Sequence, residues 1–171
     1  MILASHLLLS MPDMPEPIPV PEGYEPLVHG GPYFRALGDI LSRPAPDGGL
    51  VVALRVDASH LNMQGLTHGG MLTTLADGAL GINIGLAQVR ARGRRQGQVT
   101  VSLNADFLSS AKPGDWLEAH VAITRMGQRM AFANCDLRVG DKHVLRANAV
   151  FAFVDRPMPA GWGLDEPVND G

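Results

Sequence analysis

The amino-acid sequence predicts an α+β domain in which a curved antiparallel β-sheet wraps around one long helix. Apolar residues alternate with polar ones through five segments between residues 50 and 154, a period that is typical of half-buried β-strands. Between residues 69 and 89 the apolar spacing becomes helical, and apolar side chains occupy most of the helix circumference. Such a helix has to be buried, and the sheet is the surface available to bury it.

The predicted elements follow one another closely along the chain. A short helix is expected around residues 32–40, before the first strand at 50–56 and the long helix at 69–89. Four further strands are expected at 99–107, 117–123, 131–139 and 143–154. Because short turns at residues 126–128 and 140–141 separate the last strands, we expect these four to form an antiparallel meander that the first strand completes.

The interior of the long helix contains three glycines, Gly78, Gly81 and Gly85. Each of them costs roughly 1 kcal/mol relative to Ala in a helix interior. We therefore expect them to allow a close approach of other groups to the helix backbone.

Composition restricts the function classes. With 171 residues, of which 46% are hydrophobic, the chain is long enough for one domain with a substantial core. Lys and Arg total 14 against 17 Asp and Glu, and the resulting net charge of -3 argues against a nucleic-acid-binding protein. The single Cys excludes an internal disulfide and a cysteine-ligated metal cluster.

The two ends of the chain differ in composition from the middle. Closely spaced prolines from Pro15 to Pro21 predict an extended or disordered arm over residues 1–25, with the folded domain at 26–155 and an irregular tail at 156–171. The apolar run at residues 7–9 is too short to span a bilayer, and no Lys or Arg precedes Arg35. Neither a membrane segment nor a secretory signal is therefore expected, and the expected location is the cytoplasm.

Asp77 is the strongest chemical signal, because it lies among Leu75, Ala76, Ala79 and Leu80 in the apolar helix. An unpaired buried carboxylate costs several kcal/mol or shifts its pKa upward. A structural interpretation is that Asp77 faces a polar gap or bonds a neighbouring hydroxyl, such as that of Thr73 or Thr74. The functional interpretation is a base or nucleophile held in an apolar cleft.

The start of the same helix has the properties of an oxyanion site. His68, Gly69 and Gly70 place unpaired backbone N–H groups at a helix N-terminus, where the dipole favours negative charge. Gly69 lies eight residues before Asp77, which separates them by about 12 Å along a straight helix. Because one chain cannot bring both groups to one reacting centre, a symmetric dimer in which Gly69 of one chain meets Asp77 of the other would resolve the distance.

Several segments together carry a family resemblance. They are NMQGLTHGG at residues 62–70, LAD at 75–77, VTVSLN at 99–104 and SAKPGD at 110–115. In sequence and spacing they resemble the hotdog-fold acyl-CoA thioesterases of the PaaI type, in the thioesterase superfamily, over about residues 32–154. A second His-Gly-Gly, at residues 29–31, has no Asp at the matching distance and is interpreted as loop.

The resemblance implies a hotdog fold and the hydrolysis of a small, medium or aryl acyl-CoA to free acid and CoA. Asp77 would be the catalytic carboxylate, acting as nucleophile or base, and the Gly69 N–H would be the oxyanion donor. His68 and Asn62 match positions that orient the loop, the thioester or the water, and Thr100 matches a position that holds the water. In the family Asn62, His68 and Gly69 would come from one subunit and Asp77 and Thr100 from its partner. No metal or redox cofactor is implied.

Binding of the CoA phosphates calls for basic side chains. The candidates are the basic run after the long helix, namely Arg90, Arg92, Arg94 and Arg95, and two residues near hairpin ends, Lys112 and Arg129. Gly70, at the helix start, is a further expected substrate-binding residue. Arg125 is a further rival. The alternative for the basic run is a solvated loop without a ligand.

The remaining candidates have structural interpretations. Cys135 falls on an apolar strand face and is expected to be a buried, inert thiol. His120 and His143 lie in strands without metal-ligand spacing and are expected to have structural roles, and His60 is expected to be a polar loop residue. The expected assembly is a homodimer, paired into a tetramer, that binds neither nucleic acid nor membrane. A hotdog hydratase would need another local pattern, so the main alternative function is an acyl-thioester binding module without turnover.

Overall fold

The computed structural model describes residues 19–156, and the predictions for residues 1–18 and 157–171 lie outside these described residues. The strands are β1 (Glu25–Pro26), β2 (Ile40–Pro44), β3 (Leu50–Arg55), β4 (Gly97–Phe107), β5 (Trp116–Met126), β6 (Met130–Val139) and β7 (Lys142–Val154). The helices are α1 (Pro32–Arg35) and α2 (Gly69–Arg92), with one 3-10 turn at Ala58–His60. No helix within residues 19–156 has the length and hydropathy that crossing a bilayer requires.

The strands form one antiparallel sheet in the order β1-β2-β3-β5-β6-β7-β4, and α2 packs across its concave side. This arrangement confirms the α+β hotdog fold. The long helix is confirmed as well, and it extends three residues beyond the predicted range to Arg92. Leu75, Ala76, Ala79 and Leu80 of α2 are completely buried against the sheet.

The predicted meander is wrong in one respect, because β4 pairs with β7 at the sheet edge and not with β5. The physical reason is that α2 carries the chain across the sheet before β4 begins. Residues 108–115 then return the chain to the sheet interior, where β5 pairs with β3. A period-2 pattern specifies the face of each residue but not the neighbour of each strand.

The sequence does not predict the strands β1 and β2, and the short helix is shorter than the predicted range of residues 32–40. α1 begins with Pro32 at its first position and ends at Arg35, and the chain is extended again from Ile40 as β2. Tyr24 lies just before β1, edge-on to the Trp116 ring with a centroid distance of 5.0 Å, and its hydroxyl donates to Glu118. The sheet therefore includes residues on the arm side of the predicted boundary at residue 26.

The glycines of α2 lie where other groups approach the helix, as expected. A Cβ at Gly78 would overlap the Phe34 ring, and one at Gly85 would lie 2.8 Å from Nε of Arg95. Gly81 has the Gln98 side chain against it. On another side of the helix, the buried Asn83 side chain accepts from the Leu50 N–H at 2.8 Å and donates to the Leu50 carbonyl at 3.0 Å. These contacts hold α2 against the first residue of β3 and against the start of β4.

Candidate active site

Asp77 and Thr100 form the centre of the candidate site. Asp77 is half-buried in the middle of α2, and the Thr100 hydroxyl on β4 donates to its Oδ1 at 2.9 Å. Within residues 19–156 no Lys, Arg or His forms an ion pair with Asp77. The structural interpretation through Thr73 or Thr74 is wrong, because these hydroxyls donate to the carbonyls of Gly69 and Gly70 at 2.9 Å.

A β-bulge explains why Thr100 reaches Asp77. The register between β4 and β7 shifts between Thr100 and Ser102, so Val101 is the extra residue. Thr100 pairs with the buried Phe151 and therefore points toward α2, whereas strict alternation places it on the opposite face from Leu103. Bulges commonly re-aim side chains next to functional sites. The expectation of an unbroken alternation through this strand is therefore wrong at Val101.

The Asp77 carboxylate faces a cavity of about 360 Å³. The described residues that line it come from α1, α2 and β4: Tyr33, Phe34, Thr73, Thr74, Asp77, Gly78, Thr100 and Leu103. Cavities that hold small ligands start at about 300 Å³, so this one fits a small organic group. The sequence alone does not indicate Phe34, Tyr33 and Leu103 as site residues, because their place on the wall depends on contacts between distant segments.

The start of α2 has a backbone N–H group that is open to a ligand. His68 is the N-cap residue, and its Nδ1 accepts from the Gly70 N–H at 2.9 Å, while its carbonyl accepts from the Leu72 N–H. The Gly69 N–H has no acceptor among the described residues. An open N–H at the positive end of a 24-residue helix can donate to an anionic oxygen.

Asn62 organises the loop that leads into this helix. Its side-chain oxygen accepts from the Gln64 N–H at 2.9 Å and from the Leu66 N–H at 3.2 Å. The next anchor is Thr67, whose hydroxyl donates to the Ala111 carbonyl at 2.7 Å. These bonds hold the loop against residues 109–115, and they engage Asn62 in positioning the loop.

The two halves of the candidate site are far apart within one chain. Gly69 and Asp77 belong to one uninterrupted helix, and eight residues correspond to about 12 Å of axial rise. The structure therefore brings Asp77 together with Thr100, and it places Gly69 next to His68 at the end of the loop that Asn62 organises, but it does not join the two groups.

The basic run lies at the opposite end of α2 from Gly69. Arg90 donates to the Gly48 carbonyl, and Arg92 donates to the Gly127 carbonyl and lies over the Phe153 ring. Arg95 packs against Gly85, and burial together with the Arg95 charge lowers the pKa of His29. Thirteen residues separate Arg90 from Asp77, or about 20 Å along the helix. Arg94, at this end of the helix, and Arg129, in the β5–β6 turn, are exposed.

Lys112 lies elsewhere, next to the start of α2. The preceding residue, Ala111, accepts both hydrogen bonds of Thr67 through its carbonyl. The Lys112 side chain is exposed, and the backbone N–H of Lys112 donates to the Asp115 carboxylate at 2.9 Å. Of the predicted basic residues, Lys112 is therefore the one that directly follows a residue bonded to the loop before α2.

The other titratable candidates have structural roles. Burial raises the pKa of the Cys135 thiol to about 12, consistent with an inert side chain. His120 contacts Glu118 at 2.9 Å, and His143 lies 3.5 Å from Asp136. Both ring nitrogens of the buried His60 are engaged, with the Leu37 carbonyl and the Asp57 N–H. No group of three or more His, Cys, Asp or Glu within residues 19–156 is placed to hold a metal ion.

A larger groove of about 840 Å³ lies on another part of the surface, where Leu37, Ile40, Val56 and Trp116 contribute to its wall. Its size alone would make it a binding-site candidate. It contains none of the site residues predicted from the sequence, and its one imidazole, that of His60, is already engaged. We therefore place the candidate site at the smaller cavity, which contains the carboxylate.

Comparison with known proteins identifies the family. A sequence model described as "Thioesterase superfamily" matches residues 64–145. A Pseudomonas aeruginosa protein named "putative esterase" is 44% identical over 132 residues, which cover 77% of this chain and 96% of that protein. The chain belongs to the thioesterase superfamily. This superfamily member is also 30% identical over 105 residues to human acyl-coenzyme A thioesterase 13, with 61% of this chain and 71% of the human protein covered.

A solved structure agrees with this assignment. The phenylacetic acid degradation protein PaaI from Thermus thermophilus, in a mutant form, superposes on this superfamily member with a TM-score of 0.61 at 27% identity. The match covers 72% of this chain and all of that one. The PaaI resemblance noted from the sequence is therefore confirmed for the fold and the family.

Proposed function

We propose that the protein is an acyl-CoA thioesterase that hydrolyses a small, medium or aryl acyl-CoA to the free acid and CoA. The observation that carries the proposal is the Asp77 carboxylate, bonded to Thr100 and facing a cavity of about 360 Å³. Membership of the thioesterase superfamily and the likeness to acyl-coenzyme A thioesterase 13 support thioester hydrolysis. Thr100 donates to Oδ1 of Asp77 only, so Oδ2 is available at the open side of the cavity to accept a proton or to attack a carbonyl carbon.

In the proposed reaction Asp77 accepts a proton from a water molecule that Thr100 helps to hold. The water oxygen attacks the thioester carbonyl carbon, and the Gly69 N–H of a second subunit donates to the oxyanion that forms. The C–S bond then breaks, and the thiolate of CoA takes up the proton from Asp77. In the alternative, Asp77 attacks the carbonyl carbon directly, the C–S bond breaks, and CoA leaves as a thiolate that takes up a proton from water. Water then hydrolyses the resulting anhydride between Asp77 and the acyl group, which releases the free acid and restores the carboxylate. Neither route requires a cofactor.

A site shared between two subunits requires a dimer, and the β4 edge supports one. β4 has 11 residues and, among the described strands, pairs on one side only, with β7. Val99 and Val101 on this strand are 49% and 56% exposed. A long edge with apolar side chains is a template for pairing with a second copy. We propose a homodimer formed through β4, and a tetramer of two such dimers, supported by the exposed Met130 and Phe132 on β6.

For the CoA phosphates we favour Lys112, because it adjoins the loop that holds Gly69. Arg90 and Arg92, at the end of α2, already donate hydrogen bonds to backbone carbonyls of neighbouring loops. They would take part only if a second subunit brought this end of the helix to the cavity. We place the enzyme in the cytoplasm, a reducing compartment in which the free thiol Cys135 is stable.

The experiment that tests the proposal is the release of free CoA thiol from acyl-CoA esters ranging from acetyl to palmitoyl, with benzoyl and phenylacetyl included. We expect turnover of short, medium or aryl esters and no turnover of palmitoyl-CoA. Binding is measured in parallel by calorimetry with non-hydrolysable S-alkyl-CoA thioethers. Binding without turnover of any ester would replace the enzyme by a binding module, and the absence of both would refute the proposal.

Thr100→Val is expected to lower kcat by roughly 10- to 100-fold, the loss typical of removing a hydrogen bond to a charged group. KM should change little, because the hydroxyl donates to Asp77 and, in the proposed reaction, contacts the attacking water and not the CoA moiety. Steady-state kinetics on the best ester of the panel measure both constants. Thr124→Val on β5, which removes an exposed hydroxyl outside the cavity, is the matched control. Equal kcat values for the two variants would exclude a role for Thr100.

A further inference from the structure

We propose that Phe34 sets the length of the acyl chain that the cavity accepts. The inference rests on the proposed function, since it assigns a specificity role within the same site. Of the eight described residues that line the cavity, Phe34 alone has a buried side chain, 7% exposed. Its ring therefore forms a fixed part of the wall, whereas the neighbouring Tyr33 is exposed at the rim.

Two glycines hold the ring in place. Gly78 directly follows Asp77, and a Cβ at this position would overlap the edge of the Phe34 ring. On the other side, a Cβ at Gly30 would lie 2.6 Å from Cδ1 of the same ring. The ring is therefore wedged between the backbone of α2 next to the carboxylate and the backbone of the loop before α1. Movement of the ring requires one of these two segments to move.

The second His-Gly-Gly segment, which the sequence analysis interpreted as loop, has a function in this arrangement. Gly30 has φ +113°, a conformation that side-chain-bearing residues rarely adopt. Gly31 is the N-cap of α1, and Pro32 follows at its first position. The Gly30–Pro32 turn thus directs α1 so that Phe34 enters the cavity beside Asp77. The segment thus positions Phe34 as a wall of the acyl site and is given no role as an oxyanion donor.

The consequence is a limit on substrate size. The cavity volume of about 360 Å³ lies near the lower end of the range for ligand sites. A rigid ring on its wall excludes chains that need more depth, so short or aryl acyl groups fit and long-chain groups do not. In an apolar pocket each methylene changes specificity by about 10-fold or more.

The test compares the wild-type protein with Phe34→Ala and, in case that variant folds poorly, Phe34→Leu. For each protein we would measure kcat/KM for butanoyl- and dodecanoyl-CoA, and the Kd of S-butyl- and S-dodecyl-CoA thioethers. The dodecanoyl-to-butanoyl ratio of kcat/KM should rise by at least about 10-fold in Phe34→Ala and by less in Phe34→Leu. The corresponding ratio of binding constants should shift in the same direction.

Phe153→Leu is the matched control, because this ring also packs against the core but lies under Arg92, outside the cavity. Unchanged ratios in both Phe34 variants, or an equal shift in Phe153→Leu, would overturn the assignment of Phe34 and leave the thioesterase intact. Shifted binding ratios without hydrolysis by any protein would retain Phe34 as the size determinant and remove the enzyme. A wild-type protein that neither hydrolyses any ester nor binds a thioether would overturn both.

Discussion

Replacing Asp77 by Asn is expected to lower kcat by about 10²- to 10⁴-fold, the contribution typical of a general base or an equivalent nucleophile. The amide keeps the shape of the side chain and can still accept the Thr100 hydrogen bond, but it cannot take a proton from water or attack a carbonyl carbon. Binding should persist, because the lining of the cavity is otherwise unchanged. Initial rates of CoA release, with thioether binding by calorimetry, measure the two quantities separately.

Asp141→Asn is the control for this substitution, since Asp141 is an exposed residue of the β6–β7 turn with no contact to the cavity. It should keep wild-type kinetics. A near wild-type rate for Asp77→Asn would contradict both catalytic routes. A parallel loss of thioether binding would instead make Asp77 part of substrate recognition.

The sequence identified the elements that carry strong periodicity and missed those that do not. α2 and β3 to β7 were found because long apolar stripes at period 3.6 or 2 reflect burial on one face. β1 has two residues and β2 has five, including Pro44, so neither carries a readable alternation. The pairing of β4 with β7 depends on the path of the chain through α2, which side-chain patterning does not encode.

The candidate site divides in the same way. Asp77 and Gly69 are candidates from the sequence alone, because a carboxylate within an apolar helix and two glycines at its start are locally unfavourable choices that indicate a function. The Thr100–Asp77 bond depends on the bulge at Val101, for which the sequence of β4 gives no signal. The place of Phe34 on the cavity wall cannot be predicted from the sequence. It depends on two glycines 48 residues apart, Gly30 and Gly78, which contact the same ring only in the folded protein.

Gly69→Pro is expected to lower kcat by about 10²- to 10³-fold, as removal of one oxyanion donor does in acyl-transfer enzymes. Proline removes the N–H, and the first helical position tolerates it. His68 has the extended backbone, φ -66° and ψ 130°, that a residue before proline requires. Gly69→Ala adds a Cβ at 3.1 Å from the Phe107 ring but keeps the N–H, so it is the matched control. Equal rates for the two variants would exclude the Gly69 N–H as the donor.

A mixture of Gly69→Pro chains and Asp77→Asn chains tests whether the site is shared between subunits. In a mixed dimer the Asp77→Asn chain still provides an intact Gly69 and the Gly69→Pro chain an intact Asp77, so one of the two shared sites is complete. Random pairing of equal amounts makes half of the dimers mixed, and about a quarter of wild-type activity should return. The measurement is CoA release after the two inactive proteins are unfolded and refolded together, with each refolded alone as control. If each site lay within one chain no mixed dimer would contain an intact site, so the absence of recovery would reject the shared site.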